Sequence, residues 1–439
     1  MCSILFTNKK TKASDYNLLK LRGPDSTTEV SIAGYNFVHN LLSLTGEFTE
    51  QPIQEDGIIL LFNGEIYNYK ELFPLAKSDS YSIIAAYKKY GPKFIKKLDG
   101  EFAIVLVDID KQIILFSADI FKTKPLFYSI EKNEIGISTF QSPLKKLGFN
   151  NIQPALANTC CVIDLVNSTI DKFTIKEFSL NQYKTDYKDW FTAFDIAIKK
   201  RATQSGNNKT FIGLSSGYDS GAIACALNKL EVDNKSYSIY ASENREVIDS
   251  RIKVLKNAET INLTTHQYEY WYNYIQNNCE DFISNQYNGY NIKNDKASVG
   301  LAYICDKAIK DGRKIYLSGQ GADEIFSDYG MYGRMIMGPN QSTFGGIFPD
   351  DLNSVFPWKN FFDGTMEMYI AKEEYVAGSF GIETRYPYLD AEVVQEFLWL
   401  SPDLKNKSYK SVVYEYLKNS KFPLDKDKKI GFQANRNLI

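Results

Sequence analysis

Residues 211–221 read Phe-Ile-Gly-Leu-Ser-Ser-Gly-Tyr-Asp-Ser-Gly: a short apolar run, a polar glycine turn, then a helical pattern over 222–230. Backbone N–H groups of such a turn point at a common centre where the helix dipole also favours negative charge, so a phosphate would sit there. Asp219 beside that centre makes sense if a divalent cation bridges carboxylate and phosphate oxygens. The turn lacks the lysine of a Walker P-loop and is a different phosphate device. Taken alone, the same residues serve equally well as an ordinary helix N-cap.

A second chemical centre lies at the other end of the chain. If Met1 is removed, Cys2 carries a thiol and a free α-amine on one residue, and an amine titrating near pH ~7.7–8.0 is a ready general base. No histidine is then needed, and the chain has only His39 and His266. In isolation a cysteine at position 2 is unremarkable. Its context is Leu61-Phe62-Asn63-Gly64-Glu65-Ile66-Tyr67-Asn68, where an apolar strand meets an Asn-Gly pair. That pair is either a turn or an oxyanion hole, with the Asn63 amide and Gly64 N–H facing charge that develops as a thiolate attacks an amide. Arg22-Gly23-Pro24-Asp25 adds a rigid turn with a charge at either end.

These residues need elements to hold them. Up to about residue 178, β-type runs dominate (3–6, 35–42, 58–62, 102–108, 112–118, 134–138, 159–165), interrupted by helical patterns at 67–72 and 80–98. The polar tract 171–186 marks a boundary, giving domains 1–178 and 179–439. Beyond it strands (210–214, 236–240, 260–263, 314–318) alternate with helices (189–201, 221–230, 245–257, 299–311). That order predicts a parallel sheet with ligands at the carboxyl ends of its strands. From residue 323 the pattern is helical and loop-rich. The 439 residues carry a net charge of −2 with 44% hydrophobic and 24% charged residues. This balance argues against a nucleic-acid surface, and no apolar run approaches a bilayer span. The N-terminus lacks a signal-peptide pattern, so a cytoplasmic protein is expected. Six cysteines without metal or disulfide spacing are expected to be reduced.

In order and approximate spacing, Cys2, Arg22-Gly23-Pro24-Asp25, Gln51-Pro52, Asn63 through Asn68, Ser78-Asp79 and Leu98-Asp99-Gly100-Glu101-Phe102-Ala103 resemble class II glutamine amidotransferase domains. The 215–220 turn resembles the Ser-Gly-Gly-x-Asp-Ser signature of the PP-loop ATP pyrophosphatases, with Ser216 for the first glycine. Leu317 through Phe326 and Gly381 through Asp390 look like glutamine-hydrolysing asparagine synthetase. Two unrelated sites with ordered motifs make chance a poor account. The resemblance implies an N-terminal-nucleophile (Ntn) αββα sandwich followed by a PP-loop α/β domain with a parallel sheet and a helical C-terminal part. It implies an ATP-dependent amidotransferase that hydrolyses glutamine and amidates an adenylated carboxylate, aspartate first among acceptors, releasing AMP and pyrophosphate. By the same analogy Cys2 attacks glutamine, Asn63 and Gly64 stabilise the oxyanion, and Glu65 and Asp79 hold the α-amino end. Leu214, Ser215, Gly217, Asp219, Ser220, Ile239, Ser318 and Gly319 would bind ATP. Asp219 and Asp323 would hold Mg²⁺, Lys410 would stabilise the adenylate, and Gln320 would face the acceptor. No nucleic acid or membrane partner is implied, and a homodimer is left open.

Four departures stand out. The arginine expected two residues after the histidine is Leu41, the common Glu between the glycines of the Asp-Glu motif is Gln320, and a Gly-Gly pair is Ser327-Asp328. The chain is also about a hundred residues shorter than a typical asparagine synthetase, with the trimming in the first loops and the C-terminal half. Another carboxylate acceptor, an ammonia-using relative and a non-catalytic nucleotide-binding relative therefore remain as alternatives.

Overall fold

The computed structural model describes residues 1–240, 243–284, 289–335 and 342–425. The chain forms two compact units: Met1–Glu177 with Gln204–Gly206 and Gly378–Gly381, and Phe178–Thr203 with Asn207–Ala377 and the chain from Ile382 on.

The first unit holds two six-stranded antiparallel sheets. One runs Gln153–Pro154, Phe127–Glu131, Glu134–Ser138, Ser3–Thr7, Tyr35–Leu41, Ser26–Ile32; the other runs Thr169–Thr174, Thr159–Asp164, Ile113–Ala118, Gly100–Asp108, Ile58–Ile66, Ile53–Glu55. The period of two in side-chain direction sorts the apolar residues of the second sheet onto two faces. Ile58, Leu60, Phe62, Ile104 and Leu106 pack with Ile83, Tyr87, Phe94 and Ile95 of the helical segments Asp79–Tyr90 and Gly91–Lys97. Ile59, Leu61, Val105 and Val107 pack with Ile4, Phe6, Phe37 and Ile137 of the first sheet. Both faces are thus buried, which is why these strands read as continuous apolar runs. On the outer face of the first sheet, a Cβ at Gly136 would lie 2.6 Å from Phe149 and 2.7 Å from Leu144 of helix Gln141–Lys146. Ser3 Oγ donates to the carbonyl of Leu19, in helix Asn17–Arg22, at 2.9 Å. The layers are therefore helix, sheet, sheet, helix, as expected of an Ntn-type αββα sandwich.

The second unit is built on a five-stranded parallel sheet in the order Ala258–Ile261, Asn234–Ile239, Lys209–Gly213, Arg313–Leu317, Glu383–Arg385. Helices Lys188–Thr203, Tyr218–Lys229, Arg245–Val254 and Lys296–Lys310 accompany it. The C-terminal portion is helical, with Thr365–Gly378, Ala391–Trp399, Pro402–Asn406 and Ser411–Asn419.

The sequence reading needs correction in several elements. The helix expected over 80–98 breaks at Gly91, which takes φ +61° ahead of Pro92, and continues as a 3₁₀ segment. The polar tract begins with a strand, Thr169–Thr174, whose side chains are mostly exposed at a sheet edge and so need no apolar alternation. Ser26–Ile32 is hidden for the same reason. Helix Thr265–Asn278 was also missed, although Thr264 and Gln267 form a capping box and Tyr268, Trp271 and Ile275 make its buried stripe.

Candidate functional site

Cys2 leads directly into the strand Ser3–Thr7, and its thiol is nearly buried at 7% exposure. The sulfur lies 3.4 Å from the Leu42 N–H and 3.6 Å from the Leu42 carbonyl. Arg22, fully buried, donates from Nε to the Cys2 carbonyl at 3.1 Å and from Nη2 to the Met1 thioether at 3.2 Å. The Arg-Gly-Pro-Asp turn thus pins the main chain of the nucleophile candidate.

Strand Ser3–Thr7 packs near strand Ile58–Ile66 of the other sheet, which carries Asn63, Gly64 and Glu65. His39 Nε2 is 3.0 Å from the Phe62 carbonyl, and burial lowers the imidazole to about 4. A neutral ring therefore donates across the sheets, one residue before Asn63. Asn63 is fully buried, and neither its amide nitrogen nor its oxygen has a partner among the described residues. Such an orphaned amide costs free energy unless a ligand completes it. Gly64 has φ +140°, and a Cβ there would lie 1.9 Å from the Glu101 carbonyl, so no side chain fits. Glu65 accepts from Thr45 Oγ1 at 2.8 Å and from Gln204 Nε2 at 3.3 Å. Asp79 accepts from the Ile66 N–H at 3.1 Å, which brings the second carboxylate beside the first.

In the second unit, strand Lys209–Gly213 ends at Leu214, whose N–H donates to the Tyr237 carbonyl at 2.7 Å. Leu214 and Ile239 are both buried at adjacent strand ends. The turn that follows is held from within: the Ser215 N–H donates to Ser220 Oγ at 3.0 Å, and the Gly217 N–H to Ser215 Oγ at 3.2 Å. Asp219 stands in the first turn of helix Tyr218–Lys229. Its carboxylate meets Lys410 Nζ at 2.7 Å through both oxygens, and the same ammonium meets Asp323 Oδ1 at 2.7 Å. Lys410 is 2% exposed, far from a solvated surface lysine. Burial pulls its pKa down, but the charges of Asp219 and Asp323 outweigh this and raise it above the ordinary value. Tyr409 donates to Asp323 at 2.7 Å. Gly319 closes against the turn, where a Cβ would lie 3.0 Å from Asp219 Cβ, and the Ser318 hydroxyl accepts from the Gln320 N–H at 3.0 Å.

Two carboxylates from separate strand ends form a hard-oxygen pair suited to Mg²⁺. Among the described residues no cluster of three metal-ligating side chains exists, so such an ion would need phosphate oxygens to complete its shell. The carboxylates fit a metal–triphosphate, and Lys410 meets the charge of both.

The glutamine amidotransferase domain model matches residues 1–162, and the asparagine synthase model matches residues 192–345. The chain is 25% identical over 423 residues to glutamine-hydrolysing asparagine synthetase 1 assigned in Methanocaldococcus jannaschii, spanning 87% of this chain and 73% of that one. It is 24% identical over 435 residues to the human glutamine-hydrolysing asparagine synthetase, spanning 88% and 73%. The chain thus carries a glutamine amidotransferase domain followed by an asparagine synthase domain, which supports the glutamine-hydrolysing asparagine synthetase family. A more local match, 32% over 138 residues, is to the amidase chyE of Penicillium rubens, covering 28% of this chain and 20% of that one.

Within an asparagine synthetase-type frame, several side chains that the sequence reading passed over become visible. Arg251, fully buried, donates to the carbonyls of Ser215 at 2.5 Å and Gly217 at 2.9 Å, and Gly221 lacks a side chain because a Cβ would sit 2.5 Å from that guanidinium. Glu243 accepts from the Ser216 N–H at 2.6 Å and from the Ser216 hydroxyl, so the serine in place of a glycine has its own partner. Tyr388 donates to the Asp219 carbonyl at 2.8 Å. A glycine at 221 after the turn was the one available signal for Arg251. Gln320 donates to Glu373 at 3.1 Å. Asp328, where the family pattern has glycine, keeps a left-handed backbone at φ +44°, and its carboxylate accepts from Asn360 Nδ2 at 2.8 Å and from the Thr343 N–H.

Proposed function

We propose that this chain amidates a small carboxylate, aspartate first among candidates, using ATP and the amide nitrogen of glutamine. The observation that carries the reading is the convergence of Asp219, Asp323 and Lys410 at the phosphate turn. In the first unit the Cys2 thiolate attacks the glutamine amide, with the α-amine exposed by loss of Met1 as base. The unpartnered Asn63 amide and the Gly64 N–H take the oxyanion, and Glu65 and Asp79 meet the ammonium of glutamine. The adduct collapses with cleavage of its C–N bond, the amine returns the proton to the departing ammonia, and water then hydrolyses the γ-glutamyl thioester to glutamate and the free thiol.

In the second unit the acceptor carboxylate attacks the α-phosphorus of ATP, pyrophosphate departs, and ammonia displaces AMP from the acyl adenylate. Ser215, Gly217 and Ser220 line the pyrophosphate turn, Leu214 and Ile239 flank the adenine, and Ser318 and Gly319 close the ribose-phosphate side. Asp219 and Asp323 would hold Mg²⁺, which neutralises triphosphate charge when bound. Lys410 then stabilises the charge of the adenylate. No helix among the described residues is long and apolar enough to cross a membrane, and every step uses small solutes. The cytoplasm and a homodimer suit this reading.

Pyrophosphate release in the presence of Mg²⁺, ATP and glutamine, followed across a panel of carboxylates, tests it. Aspartate-dependent release with stoichiometric AMP and asparagine is the expected result. Release with another acid and not with aspartate would move the acceptor assignment, and none with any acid would end the ligase reading. Gln320 in the acceptor motif keeps that second acceptor in view.

A further inference from the structure

The helix Thr365–Gly378 places three charged residues in succession, and each is used differently. Lys372 reaches Asp295 at 3.2 Å, and Glu374 accepts from the Tyr386 hydroxyl at 3.1 Å. Glu373, between them, is 5% exposed and has no cation in ion-pair range among the described residues. Its Oε1 receives Gln320 Nε2 at 3.1 Å and the Tyr316 hydroxyl at 3.4 Å. Its Oε2 is buried and unpartnered. Desolvation pushes this carboxyl up, opposed by the hydrogen bonds of Ser318 and Gln320. A buried carboxylate oxygen left without a donor is a cost the fold does not need, since a neutral side chain would satisfy Gln320 and Tyr316 equally well.

The position of this oxygen says what could meet it. Gln320 follows Gly319, which packs on Asp219, and a Cβ at Gly213 would lie 3.8 Å from the Tyr316 hydroxyl. Glu373 therefore stands against the carboxyl ends of the two central strands, on the side that the acceptor motif borders. The complement of a buried anionic acceptor is a donor that brings hydrogens and positive character.

We propose that Glu373 is a nitrogen-binding residue of the amidation site, its Oε2 accepting N–H from an sp³ nitrogen of the reaction. The inference rests on the ligase reading above. Two nitrogens share that chemistry: the incoming ammonia and the α-ammonium of an amino-acid acceptor. The charge that the family commonly places at position 320 is, in this chain, supplied from the helix behind it.

Glu373→Gln tests the charge alone, because the glutamine carbonyl can still accept from Gln320 and Tyr316. Acceptor-dependent exchange of pyrophosphate into ATP, run without ammonium, reports acceptor binding; amide formation from ammonium chloride reports the nucleophile. Loss of a hydrogen bond to a charged group corresponds to roughly ten- to hundredfold in affinity. A rise of that size in the acceptor KM for exchange assigns Oε2 to the α-ammonium. Intact exchange with the same rise in the ammonium KM assigns it to ammonia. Both constants within twofold of the parent overturn the proposal, as does an equal loss in Tyr316→Phe, which removes a hydrogen bond and no charge. Should Glu373→Gln melt early, the size-matched pair Glu373→Asp and Glu373→Asn carries the comparison, and only the charged member should keep a low KM. A parent with no pyrophosphate exchange on any carboxylate would sink the ligase reading instead.

Discussion

The two candidate sites are prepared in opposite ways. In the first unit the key polar group is left bare: both ends of the Asn63 amide are buried without partners among the described residues. In the second the key groups are fully engaged, with Asp219 and Asp323 closed on Lys410. On the proposed reading, the difference follows from the charge each site must meet. An oxyanion exists only briefly, so its neutral donors can wait in place at a desolvation cost of about 1–3 kcal/mol. A buried carboxylate, Asp323, beside a partly buried one, Asp219, would cost more without a cation, and Lys410 serves as their counter-ion. Preorganisation in one site and charge replacement in the other are thus two solutions to the same burial problem.

The sharpest way to break this comparison is to remove one reacting group from each unit. Cys2→Ala should abolish glutamine-dependent synthesis by roughly 10⁴-fold or more, yet leave synthesis from ammonium salts, because the nucleophile serves only the first half-reaction. Asp219→Asn should do the reverse, stopping pyrophosphate formation with either nitrogen source while glutamine hydrolysis continues. Parallel assays of glutamate and pyrophosphate read both. Loss of both activities in a folded Cys2→Ala variant would contradict two separable sites.

Stability separates the sites at the next level. Asn63→Ala should lower glutaminase turnover by roughly 10²–10³ while leaving the melting temperature at or near the parental value, since the lost amide had no hydrogen bond to break. Lys410→Met should lose amidation and also destabilise the fold by about 3 kcal/mol, because it strands the buried Asp323 beside the partly buried Asp219. Added Mn²⁺ should recover part of that stability and bind Lys410→Met more tightly than the parent, measured by electron paramagnetic resonance of free Mn²⁺. Equal Mn²⁺ affinity in the two proteins would show that the lysine does not stand where a metal could.

How much of this was legible beforehand depended on where each residue sits in the chain. The PP-loop turn, the Asn-Gly pair and the parallel βα order could be read because local residue types determine them. Arg251 and Glu243 could not, since each reaches the turn from 27 or more residues away and neither lies in a recognisable motif. The short strand Glu383–Arg385 was missed because it is three residues long and exists only through its pairing with Arg313–Leu317. Edge strands Ser26–Ile32 and Thr169–Thr174 carry polar alternation or none, so hydrophobic periodicity passes them by. Lys410 was located by resemblance alone; its burial and its two carboxylate partners are properties of the folded chain.

The smallest expected effect concerns Leu41, where the family pattern has an arginine for the α-carboxylate of glutamine. The side chain is 6% exposed at the end of strand Tyr35–Leu41, opposite Ser26. Arg22, in the Arg-Gly-Pro-Asp turn, is a candidate cation to take its place. In the structure that guanidinium is fully buried, holds the Cys2 carbonyl, and lies over the Phe140 ring at 5.3 Å. A Cβ at Gly378 would lie 2.6 Å from its Nη1, so Arg22 has little room to swing toward a ligand without releasing Cys2. On the proposed reading neither position 41 nor Arg22 offers the α-carboxylate a charged partner, and a charge-assisted hydrogen bond contributes roughly 1.5–3 kcal/mol, or about one to two decades in affinity. The parent should show a high KM for glutamine and favour ammonia at modest concentrations. Leu41→Arg should lower the glutamine KM by about tenfold with kcat little changed, because the interaction is made equally in ground and transition states. Steady-state glutaminase kinetics decide the matter: a micromolar KM in the parent that the substitution leaves unchanged would mean that backbone donors already hold the carboxylate, and that the first site, too, replaced a charge rather than losing one.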